Sequence, residues 1–193
     1  MRRPGLPGGG DYSIPYDPTL FLSIDPDGTV TLQSKHLEMG QGIMTGLATL
    51  VAEEMDADWS RFEVELAPAD TPVFLNTHLG RQGTFASTGI ANSWIQMRRV
   101  GAGARAMLVA AAAARWDVPA DEISLSRGIV RHGSSDGQAS VGELAEQAMA
   151  QSAPDPETLE LKPAEAWSRI GRDDLRVDAP AKQFQWIRGV PFR

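Results

Sequence analysis

The chain has 193 residues, 42% of them hydrophobic and 22% charged, with a net charge of −7; this is the make-up of a soluble globular protein with one large or two small domains. The acidic balance argues against broad electrostatic binding to nucleic acid. The absence of cysteine excludes disulfides, thiolate catalysis, zinc–cysteine sites and any iron–sulfur cluster carried by this chain, and no apolar run approaches the ~20 residues that a membrane span needs.

Residues 1–18, "MRRPGLPGGGDYSIPYDP", are rich in proline and glycine and read as a flexible leader, extended or disordered. Two arginines open it, but the apolar stretch of a signal peptide does not follow. No export signal is read, and the chain is expected to be cytoplasmic. "LFLSIDPDGTVTLQSKH" then predicts a β-hairpin, with strands at Leu20–Ile24 and Thr29–Lys35 and a turn through Pro26 and Gly28. Val30 and Leu32 share one face of the second strand; Thr29, Thr31 and Gln33 share the other.

At "HLEMGQGIMTG" the hydrophobic period changes from strand to helix. Ile43, Leu47, Leu50 and Val51 recur at helical spacing, predicting a helix over about Gly42–Met55. A strand over Phe62–Leu66 follows. A glycine turn between strand and helix presents free backbone N–H groups and the positive end of the helix dipole. Glycine lets a ligand approach the backbone, and Gln41 offers both an amide donor and a carbonyl acceptor. These features suit an anion or an oxygen-rich ligand, and they equally describe a plain tight turn. The spacing matches neither the dinucleotide fingerprint nor the phosphate loop with its lysine.

The long irregular segment "DTPVFLNTHLGRQGTFASTG" carries Gly80, Gly83 and Gly89 and has the length of a functional loop. It leads to a second helix over about Ile90–Trp116, with Ser87 and Thr88 as expected caps. Gly101 and Gly103 weaken that helix and point to a close approach by another element. Arg98, Arg99 and Arg105 on the same helix read as surface charges. Two short strands, Ile123–Ser126 and Ile129–His132, and a helix over Val141–Ala150 complete the elements, and no core element is expected beyond them. The order predicts an α+β fold, with the two main helices packed on a mixed sheet. Domain bounds are expected at 1–18 for the leader, 19–152 for the α+β domain and 153–193 for an extended C-terminal segment. His36, His78 and His132 do not cluster, which argues against a zinc site, and no nucleophile-elbow motif marks a serine triad.

Three stretches in order, "KHLEMGQGIMTGLATLVAEEMDADW", "QGTFASTGIANSWIQMRRVGAGARAML" and "WDVPADEISLSRGIV", resemble the molybdopterin-binding large subunit of the xanthine dehydrogenase/aldehyde oxidase family. Within it they are most similar to the isoquinoline 1-oxidoreductase beta-subunit type, often called simply aldehyde dehydrogenase. The resemblance covers about Leu20 to Lys182. It implies the N-terminal cofactor-binding portion of a molybdenum hydroxylase that oxidises an aldehyde or N-heterocycle. The implied cofactor is molybdopterin cytosine dinucleotide with molybdenum, shared with segments outside this chain. The implied partners are the remaining large-subunit domains, a small [2Fe–2S] subunit and a small-molecule substrate.

By the same resemblance Gln41 hydrogen-bonds a molybdenum oxo ligand, and Gly40 and Gly42 approach the pterin. Thr84, Phe85, Ala86, Ser87 and Thr88 match a cofactor-contacting loop, although the family more often has two glycines where this chain has Phe85 and Ala86. Family members are far longer, and their catalytic glutamate lies near the C-terminus, with no counterpart here. After "DAPAK" the chain reads "QFQWIRGVPFR" in place of the family's continuation. The expectation is therefore a split subunit, a truncated or frameshifted product, or a catalytically inactive scaffold or remnant. Relatives of this type are often exported through a twin-arginine signal, so a periplasmic setting stays open for the longer proteins.

Overall fold

The structure is a computed structural model and describes residues 14–173 and 175–179. The first thirteen residues of the leader and the Gln183–Arg193 tail lie outside the described residues. The hairpin forms from β1 (Leu22–Ile24) and β2 (Val30–Ser34), with Gly28 N–H donating to Asp25 O at 2.8 Å to close the turn. β1 starts two residues later than its apolar run because Pro18–Leu20 form a 3-10 turn, capped by the Asp17 carboxylate on Thr19 N–H. Tyr16 lies under the Arg99 guanidinium, and Pro15 O accepts from Gln96, so residues 15–18 are seated against the second helix.

Helix α1 (Ile43–Met55) crosses from β2 to β3 (Phe62–Leu66), which pairs parallel to β2 while β1 pairs antiparallel on its other side. This is the expected mixed sheet. β2 buries Val30, Leu32 and Ser34 and leaves Thr31 and Gln33 half-buried, the alternation of a strand with one face on the core. Leu47, Val51 and Met55 of α1 are fully buried above it.

The long helix α2 (Gly89–Trp116) packs along α1. At Gly101 the two backbones touch: an added Cβ would sit 2.4 Å from Val51 O. The second sheet is an antiparallel meander of β4 (Ile123–Ser126), β5 (Ile129–His132) and β6 (Gln138–Ser140). β6 escapes notice in the sequence because its three residues are strand only through pairing, Val130 opposite Ala139. Helix α3 (Val141–Met149) follows at once, started by a capping box between Ser140 and Glu143. Among the described residues no helix is long and apolar enough to cross a membrane.

Arg98 corrects the surface reading of the α2 arginines. It is 8% exposed, bonds Glu54 through Nε at 2.7 Å, and lies 5.5 Å from the ring centroids of both Trp94 and Trp167. Glu53, beside Glu54 on α1, accepts N–H bonds from Ser168 (3.0 Å), Arg169 (2.5 Å) and Ile170 (3.0 Å), with the Lys162 ammonium at 3.3 Å. Burial pushes the Glu53 carboxyl up, but these N–H groups and Lys162 together hold it below the usual carboxylate range. The irregular segment 162–170 is thus bound to the helices through two buried acids.

The Gly101–Val51 contact sets a test. Alanine is the better helix former by about 1 kcal/mol, so in an open helix Gly101→Ala would stabilise. Here the methyl meets backbone, and urea unfolding should show a loss of about 2 kcal/mol or more.

Candidate functional site

The strand-to-helix junction at the start of α1 is organised by Glu38. One carboxylate oxygen accepts from Gly40 N–H (2.8 Å) and Gly42 N–H (3.0 Å), and the other from Met44 N–H (3.2 Å). Two of the helix-start N–H groups expected to face a ligand, those of Gly42 and Met44, are therefore taken by the protein's own anion. Arg176 adds to the arrangement, donating to Glu38 Oε1 at 2.9 Å and to Gly40 O at 2.6 Å while Asp178 holds its other face. Burial raises the Glu38 carboxyl, and the three N–H groups with Arg176 outweigh it, leaving the group below the usual carboxylate range.

Gly40 and Gly42 both adopt positive φ, 106° and 80°, which a side chain would strain. A Cβ at either would meet nothing within 4 Å, so their outer side is open. The loop so formed curls the Gln41 amide back on itself: Oε1 accepts from Met39 N–H at 2.6 Å and Nε2 donates to Leu37 O at 2.7 Å. This pairing also fixes which end of the amide is nitrogen, because a flipped amide would set carbonyl against carbonyl. One N–H of Nε2 remains for an acceptor outside the loop.

The second predicted stretch lies beside the first. Leu37 N–H donates to Thr84 Oγ1 at 2.8 Å, and Gly89, at the start of α2, sits against Ile43 at the start of α1, where a Cβ would fall 2.8 Å from Ile43 Cδ1. The eight residues singled out by sequence, Gly40 to Gly42 and Thr84 to Thr88, are therefore carried on two neighbouring loops. Ala86 and Ser87 are both left-handed, with φ of 52° and 55°. Left-handed backbone is what glycine supplies without cost, so Ala86 holds a glycine-type conformation with a side chain. Phe85, like Leu37 and Met39, is half or more exposed, giving the site an apolar rim. The expected caps differ: Thr88 occupies the N-cap without a capping bond, and its hydroxyl donates to Phe85 O at 2.8 Å.

Four participants carry no obvious sequence signal at this distance: Glu38, Arg176, Asn76 and Lys35. Buried Asn76 ties the long loop, donating to Gly83 O at 2.9 Å and accepting from His78 N–H at 3.0 Å. Its legible trace is an asparagine two residues ahead of "HLG", a side-chain-stabilised turn.

Behind the loops, Lys35 is 2% exposed and donates to Gln96 Oε1 at 2.6 Å; burial lowers its ammonium from 10.5 to about 8. Its neighbour His36 is fully buried, with Nε2 3.2 Å from Ser93 Oγ and Nδ1 3.4 Å from Thr84 Oγ1. Burial and the Lys35 charge lower His36 to about 4, so the ring is neutral and structural. His132 lies in the second sheet, at the end of β5, between Glu122 (2.8 Å) and Ser135 (2.7 Å). Among the described residues no group of three or more His, Asp or Glu is arranged to hold a metal ion.

The family model of the molybdopterin cofactor-binding domain matches residues 11–185. The chain is similar to the beta subunit of isoquinoline 1-oxidoreductase from Brevundimonas diminuta, 41% identical over 128 residues, 66% of this chain and 16% of that protein. It is also similar to the membrane-bound aldehyde dehydrogenase [pyrroloquinoline-quinone] of Gluconacetobacter polyoxogenes, 33% identical over 92% of this chain and 22% of that one. The chain thus spans less than a quarter of the length of these relatives. The fold is that of part of the reconstituted CO dehydrogenase from Oligotropha carboxidovorans, with a TM-score of 0.51 at 20% identity over 72% of this chain and 16% of that one.

Lys35 and His36 both predict stability that rises with pH, in two separate windows. The folded Lys35 pKa is lowered, so the unfolded chain binds more protons between about pH 8 and pH 10.5, and stability rises with pH there. Lys35→Met should raise stability at pH 7 by about 1–3 kcal/mol, and urea titrations should show that advantage shrinking across this window; a constant difference would contradict the assignment. His36 gives stability that is present above pH 6.5 and lost as pH falls toward 4.

Proposed function

Because the chain belongs to the molybdopterin cofactor-binding domain family, we propose that the Gly40–Gly42 and Thr84–Thr88 loops hold part of a molybdenum cofactor of the molybdopterin cytosine dinucleotide form. The α+β domain over residues 19–152 supplies both loops. The whole assembly is a molybdenum hydroxylase or dehydrogenase oxidising an aldehyde or N-heterocycle. Two relatives carry subunit names, one of isoquinoline 1-oxidoreductase and one of nicotinate dehydrogenase. This supports a multi-subunit setting, and we place a small [2Fe–2S] subunit among the partners.

The observation that carries this reading is the Gln41 amide, oriented by two backbone bonds with one N–H left over. The residues fit the group in kind. Gly40 and Gly42 leave open space on their outer faces, and Gln41 supplies a neutral donor suited to an oxygen atom at the molybdenum end. When bound, the cofactor supplies two-electron oxidation and transfer of a water-derived oxygen. This chain's share is to bind and orient. Gln41 donates one hydrogen bond, the two glycines admit the ligand to the backbone, and Thr84, Ser87 and Thr88 offer hydroxyls along the second loop. The exposed side chains of Leu37, Met39 and Phe85 exclude water from the rim once covered.

The test is composition. Protein purified from cells that make the cofactor should carry molybdenum, and cytidine monophosphate should be released from it on acid hydrolysis. Gly42→Val should lower both at least about tenfold, since the side chain both strains the loop and fills the approach. Gln41→Met should lower molybdenum retention with little change in thermal stability. Well-folded protein from such cells with neither component would overturn the proposal.

A further inference from the structure

We infer that Glu38, braced by Arg176, is an internal anion that closes the N-terminus of α1 to ligands and by doing so positions Gln41. The inference rests on the proposal that Gln41 is a donor to the cofactor, and it extends that proposal to two residues outside the loops named above.

The geometry supports both halves. A helix start is ordinarily an anion site because its first N–H groups lack partners. In α1 the N–H groups of Gly42 and Met44, together with that of Gly40 just before, converge on one carboxylate. An incoming phosphate at this place would meet a fixed negative charge in place of free donors. The ligand's anionic portion is therefore directed away from α1, and Gln41 is left to meet a neutral or weakly basic oxygen.

Positioning follows from the same bonds. Glu38 spans the turn, binding the N–H groups on both sides of Gln41. With Gly40 and Gly42 so held, Met39 N–H and Leu37 O stand where they grip the two ends of the Gln41 amide. Arg176 clamps the arrangement from outside, reaching Glu38 and Gly40 O together, and the next residue's N–H bonds Thr45 Oγ1 at 3.0 Å. Glu38 acts through Gln41, so it is a positioning residue.

The experiment is NMR on the full 193-residue chain, isotopically labelled, with inorganic phosphate as the anion probe. In the wild type the Gly42 and Met44 amides should be protected from exchange and should not respond to phosphate. The two Gln41 side-chain protons should give separate, fixed signals. Glu38→Ala should raise exchange at Gly42 and Met44 about tenfold or more, merge or shift the Gln41 side-chain pair, and make these amides titrate with phosphate. Formate added to that variant should restore protection by refilling the carboxylate position. A purely structural role would lower the melting temperature without phosphate titration or formate rescue.

Should Glu38→Ala fail to fold, Arg176→Met removes the clamp while leaving the carboxylate, and should loosen the Gln41 signals in the same direction. Wild-type amides that titrate with phosphate, or Gln41 signals unchanged in both variants, would overturn the inference. Its failure is separable from failure of the cofactor proposal, which is read from molybdenum and cytidine monophosphate content.

Discussion

Two adjacent carboxylates, Glu53 and Glu54, are sealed inside the protein at the C-terminal end of α1, 1% and 0% exposed. Burying a charge without partners costs several kcal/mol, and the negative end of a helix dipole worsens the cost for an anion. Each carboxylate must therefore be surrounded by donors, and local sequence offers none. Glu54 takes Arg98 from α2 and the Lys162 backbone N–H; Glu53 takes three successive N–H groups from Ser168 to Ile170. The demand of these acids for donors binds α1, α2 and the irregular chain beyond α3 into one unit. From Ile170 the chain has six residues in which to return to the Gly40 loop. Fully extended, six residues span about 20 Å, which exceeds the roughly 12 Å of helix between Thr45 and Glu53. Residues 162–173 and 175–178 thereby form a strap along α1, tied to acids at both ends: Glu53 and Glu54 at one, Glu38 at the other.

Much of the frame is legible in the sequence because it is encoded locally. The alternation in β2, the Asp25–Gly28 turn, the helical repeat of α1 and the run of β3 each follow from side chains a few residues apart, and the structure places them at the expected positions. The strap is not legible in that way. It has almost no regular structure, and its partners lie more than 100 residues away in the chain. Arg98 fails for the same reason: a charge on a helix looks solvated until Glu54, Trp94 and Trp167 are seen around it.

The site divides along the same line. Glycines at positive φ and small hydroxyl residues mark the two loops in the sequence, since backbone conformation is a local demand. That the loops stand together depends on Gly89 meeting Ile43 and on Leu37 reaching Thr84, contacts across the α1–α2 packing that periodicity does not contain. The filling of the α1 start by Glu38 was present in the motif as a letter two residues before a glycine, but a glutamate in a loop is ordinarily solvated.

The contact between Gly101 and Val51 gives the two helices a fulcrum. Gly89 lies twelve residues from it along α2, about 18 Å, and Ile43 eight residues along α1, about 12 Å. Because helices are stiff over such lengths, the gap between the loops at their tips depends on how closely the axes approach at this distant point as well as on the Gly89–Ile43 contact at the tips. A tenth of an ångström forced between the axes reaches the tips as a shift of similar size or larger, without any change in the loops themselves. The width of the opening is thus in part a property of the protein's interior, and natural variation at the fulcrum would retune it while leaving every residue that faces a ligand unaltered.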